Sequence, residues 1–522
     1  MDFLSLGYIL FVGATLLLYY NLQSKFQWKV LLVSNLVFYL ICGKWNLIFI
    51  LFTSFTIFIG ALRMEKISSD YKLEKKKDGL SREDKKILKA RFQNKKRIVL
   101  WSVLVLNLMI LAYMKYFRVM FGTGRGLLLP LGISFYTFQA VGYLIDVYGE
   151  KYPAEKNYAK FLTFISFFPQ LIQGPINRYD KIEPQLSAPH SFSVDRAKRA
   201  ALLIMYGLMK KYAIANMLEG SIAAVFDSSA DTLPGSLIVF SILMYSAQQY
   251  ADFSGGIDIV LGVALLFDIE MMPNFRQPYF ATSLGDFWRR WHISLGAWMR
   301  DYVFYPFALL KSTQNFGKWC GKHLGKHFGR VLPAGVANIL VFFLVGIWHG
   351  ADLHYVWWGL YNGIVIALSD LMEPAFAALT EKLKINAKSA GMHVFRIIRT
   401  FIIVNIGWYF DRIEDMGKCL SCMKRTVTDF ASSEFLYSVK NIMLNPDTTS
   451  PQYVLGGMAL SVFCIILVFS VSILREQNRD VFSMLNAKSG VLYDLAIVIL
   501  VMLTFTSFVF MTSTGGFLYA NF

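Results

Sequence analysis

Charge is scarce in this chain. Asp, Glu, Lys and Arg make up 17% of its 522 residues, against about 25% in a soluble globular domain. So few charges cannot cover three or four soluble domains, and that class is excluded. Cysteine is scarcer still. The five cysteines, Cys42, Cys320, Cys419, Cys422 and Cys464, imply no disulfide framework. Cys419 and Cys422 have C-x-x-C spacing, but no second pair and no nearby histidine completes a zinc site. Among seven histidines, His323 and His327 stand four apart, also without a third ligand close by. No metal is therefore expected. The chain has no glycine–serine linker, internal repeat or low-complexity tract. Its start, Met1-Asp2-Phe3, lacks the basic region of a cleavable signal, so the first apolar run is expected to be retained.

What is abundant is apolar sequence. The chain is 55% hydrophobic and 16% aromatic, with mean hydropathy +0.45. Apolar runs recur at 5–20, 29–42, 47–62, 98–113, 127–147, 200–217, 236–250, 259–267, 336–348, 355–372, 394–409, 453–474 and 491–510. The reading is an all-α polytopic membrane protein with about eleven to thirteen spanning or half-spanning segments. The run 161–171 is too short to cross; Pro169, Gly174 and Pro175 make it a re-entrant or interfacial segment or a proline-kinked packing helix. Pro130 and Gly132 are expected to bend or start a helix. The net charge of +17 comes from basic residues in short loops. That pattern points to anionic lipid headgroups as partners and away from nucleic acid. Residues 63–97 read as a solvated cytoplasmic hairpin or a docking surface, with Ser81-Arg82-Glu83-Asp84 opening a surface helix. Residues 178–198 read as a polar loop with a solvated His190. Lys210 and Lys211 are expected to snorkel to an interface. Residues 419–451 read as a soluble excursion.

Two histidines interrupt apolar, aromatic sequence. His349 closes the run 336–348, where an imidazole without a partner costs a few kcal/mol. His292 ends Phe287-Trp288-Arg289-Arg290-Trp291-His292; on a helix it shares a face with Trp288. Arg289 and Arg290 are suited to a carboxylate or phosphate. Asp252 and Asp258 flank Gly255-Gly256, as a site or as a structural pair satisfied by Arg289 or Arg290. From composition alone, a transporter with a histidine proton relay is one reading. A base at the floor of a cavity is another, and a packing histidine a third.

The motifs carry a resemblance. Phe287-Trp288-Arg289-Arg290-Trp291-His292-Ile293-Ser294, Trp348-His349-Gly350-Ala351 and Trp358-Gly359-Leu360-Tyr361-Asn362-Gly363 resemble the membrane-bound O-acyltransferase (MBOAT) superfamily, in its bacterial branch of alginate O-acetyltransferase-like proteins. Leu131-Gly132-Ile133-Ser134-Phe135-Tyr136, Gly174-Pro175-Ile176, Asp252-Phe253-Ser254-Gly255 and Phe517-Leu518-Tyr519-Ala520-Asn521-Phe522 match the same branch. The resemblance implies one membrane domain over 1–522, with a helical ring around a central tunnel. Its parts are N-terminal helices at 1–62, a charged cytoplasmic loop at 63–97, a catalytic core at 98–412 and a two-helix extension at 413–522. It implies that His349 is catalytic and His292 a second functional histidine. Trp288, Arg289, Trp291, Trp348, Asp252 and Asn362 are then expected to line the substrate or donor path. It implies acyl transfer to a hydroxyl in a bacterial cell membrane, without a bound cofactor. Acetyl-CoA or another acyl thioester is the expected donor, a surface polysaccharide the acceptor and an extracellular protein a partner. A D-alanyl transferase for teichoic acid is the alternative from the same superfamily; the two spans after Pro451 argue against it. Gly256 and Phe307-Ala308-Leu309-Leu310-Lys311 depart from the alginate pattern, which leaves the glycan open.

Overall fold

The computed structural model describes residues 5–77, 80–117, 130–227, 230–444, 450–486 and 490–511. The 517–522 motif lies outside them. The described chain is helical, with one isolated bridge between Phe275 and Trp291. Among the described residues, six helical stretches are long and apolar enough to cross a membrane: Ser24–Lys75, Arg82–Tyr116, Lys326–His349, Ala390–Arg412, Pro451–Glu476 and Val491–Phe510. A seventh is Leu353–Leu371 with Glu373–Lys382, bent by 53°, if that pair is one span. Apart from the long Gly235–Leu266 helix, the remaining apolar sequence forms short or interrupted helices, and such broken backbone is tolerated at membrane depth only inside protein.

The chain divides into two compact units, Met1–Ala200 with Val260–Met272, and Ala201–Ile259 with Pro273–Phe522. In the first, the charged segment 63–97 is not a loop. The Leu47–Lys75 helix continues into it, and Arg82–Ala112 starts there on the capping box of Ser81 and Asp84. Its lysines and glutamates are good helix formers, so the two membrane helices simply extend past the apolar runs. Gly132, at φ +67°, starts the Ile133–Tyr148 helix. The short run breaks into Tyr158–Ser166 and Phe168–Ile172. Asn35 bridges the break, donating to Thr163 O and accepting from Phe168 N. His190 is not solvated: Nδ1 meets Asp268 at 2.9 Å and Nε2 meets the Gln185 carbonyl at 2.6 Å.

The second unit corrects two further expectations. Lys210 and Lys211 do not snorkel. They open a π-helical turn, Lys210–Asn216, and are 2% and 3% exposed. Lys210 pairs with Asp258 and Ser254, and Lys211 with Asp252. The Gly235–Leu266 helix carrying these carboxylates runs unbroken through Gly255-Gly256. A Cβ on Gly255 would crowd the Gly207 carbonyl at 2.8 Å, so this glycine serves close packing rather than a break. Two neighbouring helices that close to each other leave the lysines no path outward, and the aspartates meet them instead. Cys419 and Cys422 are fully buried on the Met416–Thr428 helix.

Candidate active site

The site is built from a helical hairpin and a kinked strap. The hairpin pairs Lys326–His349 with Leu353–Leu371. Its helices touch backbone to backbone. A Cβ on Gly346 would overlap the Tyr355 carbonyl, and one on Gly359 that of Phe342. His327 Nε2 meets the Leu371 carbonyl at 3.3 Å and ties the basic end shut. His349 is the last helical residue at the other end, before the turn at 350–352. It is packed among Trp348, Tyr355 and Trp358, with ring centroids at 5.1, 5.9 and 4.8 Å.

The strap carries His292. The Leu284–Arg290 helix ends at Trp291, which is extended; His292 takes the left-handed conformation (φ 48°, ψ 54°), and Ile293–Met299 begins a new helix. Trp288 and His292 therefore do not share a face of one helix, contrary to the expectation from their spacing. Residues 274–276 impose the kink. Arg276 N donates to Arg290 O at 2.9 Å, and Ile293 N to Asn274 O at 3.0 Å. Left-handed backbone at a non-glycine residue costs about 1–3 kcal/mol and persists where the surroundings over-determine it. Here Phe253, Phe275, Tyr250 and Phe287 enclose the adjoining Trp291, which is 1% exposed. His292 lies outside every candidate span, and burial pushes its pKa down to about 3. Its imidazole is neutral at physiological pH.

Both histidines open onto one cavity of about 630 Å³. Trp291, His292 and His349 form its buried floor; Arg289, Arg300, Tyr305 and Asp370 form an exposed, polar rim. Asn338, Val341, Phe342, Val345 and His349 place it along one face of the hairpin's first helix. At 1.5 Å per residue that wall is about 16 Å long. Ser369 and Asp370 line it near the hairpin's basic end, so the cavity runs from that end to the histidine at the tip.

Of the eight expected site residues, Trp288, Arg289, Trp291, His292 and His349 line this cavity. Trp348 and Asn362 stand behind its wall. The Trp348 ring lies 6.2 Å from that of His292, and Trp288 Nε1 donates to Asn362 Oδ1 at 3.0 Å. Asp252 is elsewhere, held by Lys211. Arg290 binds Asp286 and Glu476, so it is neither a ligand clamp nor the partner of Asp252. His323 and His327 face separate carbonyls, Trp319 O and Leu371 O. Sequence reasoning missed Asn338, Asp370 and Asn274. Asn338 was detectable as a polar residue inside the apolar run 336–348.

Two buried imidazoles, one at the end of a candidate span and one on a strap outside every span, thus share a deep cavity with a polar rim. Similarity to known proteins gives this site a family. The family model of the membrane-bound O-acyltransferases matches residues 37–317, and the chain belongs to that family. It is a multi-pass membrane protein of that family. A protein of Pseudomonas syringae pv. tomato named probable alginate O-acetylase is 34% identical over 339 residues, 60% of this chain and 58% of that protein. The protein of the same name from Pseudomonas aeruginosa is 30% identical over 427 residues, 78% of this chain and 71% of its own length. The peptidoglycan O-acetyltransferase of Helicobacter pylori is 29% identical over 434 residues, covering 76% of this chain and 75% of that protein.

Proposed function

We propose that the protein moves an acetyl group from a cytoplasmic thioester, acetyl-CoA in the simplest case, toward a hydroxyl of a cell-surface or secreted polysaccharide, with His349 as the base. The observation that carries this reading is the single cavity joining both histidines to a polar rim near the basic end of the hairpin. By the positive-inside rule, Lys326 and Arg330 put that end in the cytoplasm. The cationic rim residues Arg289 and Arg300 suit the phosphates of an anionic donor, and the long wall behind them suits its extended thioester arm. The His349 ring takes the proton of the acceptor hydroxyl as its oxygen attacks the thioester carbonyl. The C–S bond then breaks, and the thiolate leaves with that proton. A base of this kind contributes about 10²–10⁴-fold. His292 orients the hydroxyl. The alginate and peptidoglycan names of the relatives support a glycan acceptor, reached directly or through an extracellular partner protein.

The test supplies purified protein with labelled acetyl-CoA and a panel of surface glycans. Label in an ester on a glycan, or on a co-purified extracellular partner, is the expected result. Transfer only from an aminoacylated carrier protein would replace acetylation with D-alanylation. Proton-coupled flux of a solute without any ester product would overturn the enzyme reading.

A further inference from the structure

Behind the cavity floor, one buried amide oxygen has three polar neighbours. Asn274 is 1% exposed, His292 3% and Ser294 1%. The Asn274 side-chain oxygen lies 3.1 Å from the Ser294 backbone nitrogen, 2.8 Å from the Ser294 hydroxyl and 3.1 Å from His292 Nδ1. A backbone N–H can only donate, so the atom facing it must be the amide oxygen; this fixes the orientation of the side chain. An oxygen that can only accept then obliges His292 Nδ1 to donate. In a neutral ring the proton on Nδ1 leaves Nε2 as the lone-pair nitrogen. The backbone reinforces the arrangement, because Asn274 O also accepts from Ile293 N at 3.0 Å. The same residue thus grips the chain on the far side of the left-handed His292 through both its main-chain and side-chain oxygens.

We propose that Asn274 is a positioning residue that locks His292 in the Nδ1–H tautomer, so that its Nε2 meets substrate as a hydrogen-bond acceptor. This rests on the reading of His292 as part of the acyl-transfer site. The second histidine thereby gains a definite role, in which Nε2 accepts from the incoming hydroxyl and does not donate to the oxyanion. Donation at Nε2 would need the other tautomer, which would turn two acceptors toward each other at Asn274. Ser294 serves the same end by holding the amide in register.

Nitrogen-15 NMR of protein labelled at histidine tests the tautomer without any reaction, with the His292 signal assigned by its loss in His292→Gln. The expected wild-type signal is Nδ1–H. In Asn274→Leu, which keeps the volume and removes the acceptor, the signal should shift toward the Nε2–H form. Its kcat/KM should fall by roughly 10²-fold, the lower end of what acid–base groups contribute. Asn274→Asp, which keeps the acceptor and adds charge, should retain Nδ1–H and move the acid limb of the pH–rate profile upward by stabilising the imidazolium. A merely structural brace would lower activity with no such pH shift. An Nε2–H signal in the wild type, which needs no variant to fold, would overturn the proposal. So would an unchanged tautomer in Asn274→Leu. Nδ1–H in the wild type together with full activity in His292→Gln would instead remove His292 from the acyl-transfer reading and leave the role of Asn274 in setting the tautomer intact.

Discussion

Two buried polar clusters lie in the same unit, and they differ in what surrounds them. Lys210, Lys211, Asp252 and Asp258 bring cation to anion across two closely packed helices. His292 and His349 are embedded in aromatic rings and border a cavity of about 630 Å³. Both clusters would be flagged by the rule that ionisable groups at membrane depth mark a site. The second lines that cavity, and none of the four side chains of the first does. Burial of a polar side chain therefore identifies a demand, and open volume beside it identifies a function.

The sharpest way to break this contrast is to treat the first cluster as a site and remove one member. Lys211→Met takes away the cation facing Asp252. Breaking a buried pair costs about 3–5 kcal/mol. Thermal unfolding in detergent should show that loss, and Lys211→Met with Asp252→Leu should recover most of it. Loss of transfer at unchanged stability would make the cluster functional. The hairpin is the next test, since its close contact sets His349. Gly359→Ala should destabilise by about 1–3 kcal/mol through overpacking against Phe342. The same unfolding assay checks it, and a neutral outcome would mean that the helices part easily. The smallest effect is expected at the rim. Arg289, with 71% of its side chain exposed, should contribute about 1 kcal/mol or less to donor binding. Arg289→Ala should raise KM for acetyl-CoA a few-fold with kcat nearly constant. A fall in kcat instead would move Arg289 from donor capture into the transition state.

Much of this was legible in the residues themselves. The capping box at Ser81 and the helix start at Gly132 are local signals that the structure realises, and the two histidine motifs, also local, meet at one cavity. What stayed hidden depends on distant partners. No local residue type announces that Trp291 and His292 break a helix; the break comes from pairing with 274–276. Lys210 and Lys211 look like interface anchors until the Gly207–Gly255 contact shows how tightly their helices approach. Asn274 carries no motif of its own in Met272-Pro273-Asn274-Phe275, and its importance appears only with Ser294 and His292 around its side-chain oxygen.

The most direct measurement compares labelled acetyl transfer by the wild-type protein and by His349→Ala, both purified folded and with matched thermal stability. The account predicts a loss of about 10²-fold or more in kcat/KM for the variant, with donor binding retained. Undiminished transfer by folded His349→Ala would contradict it.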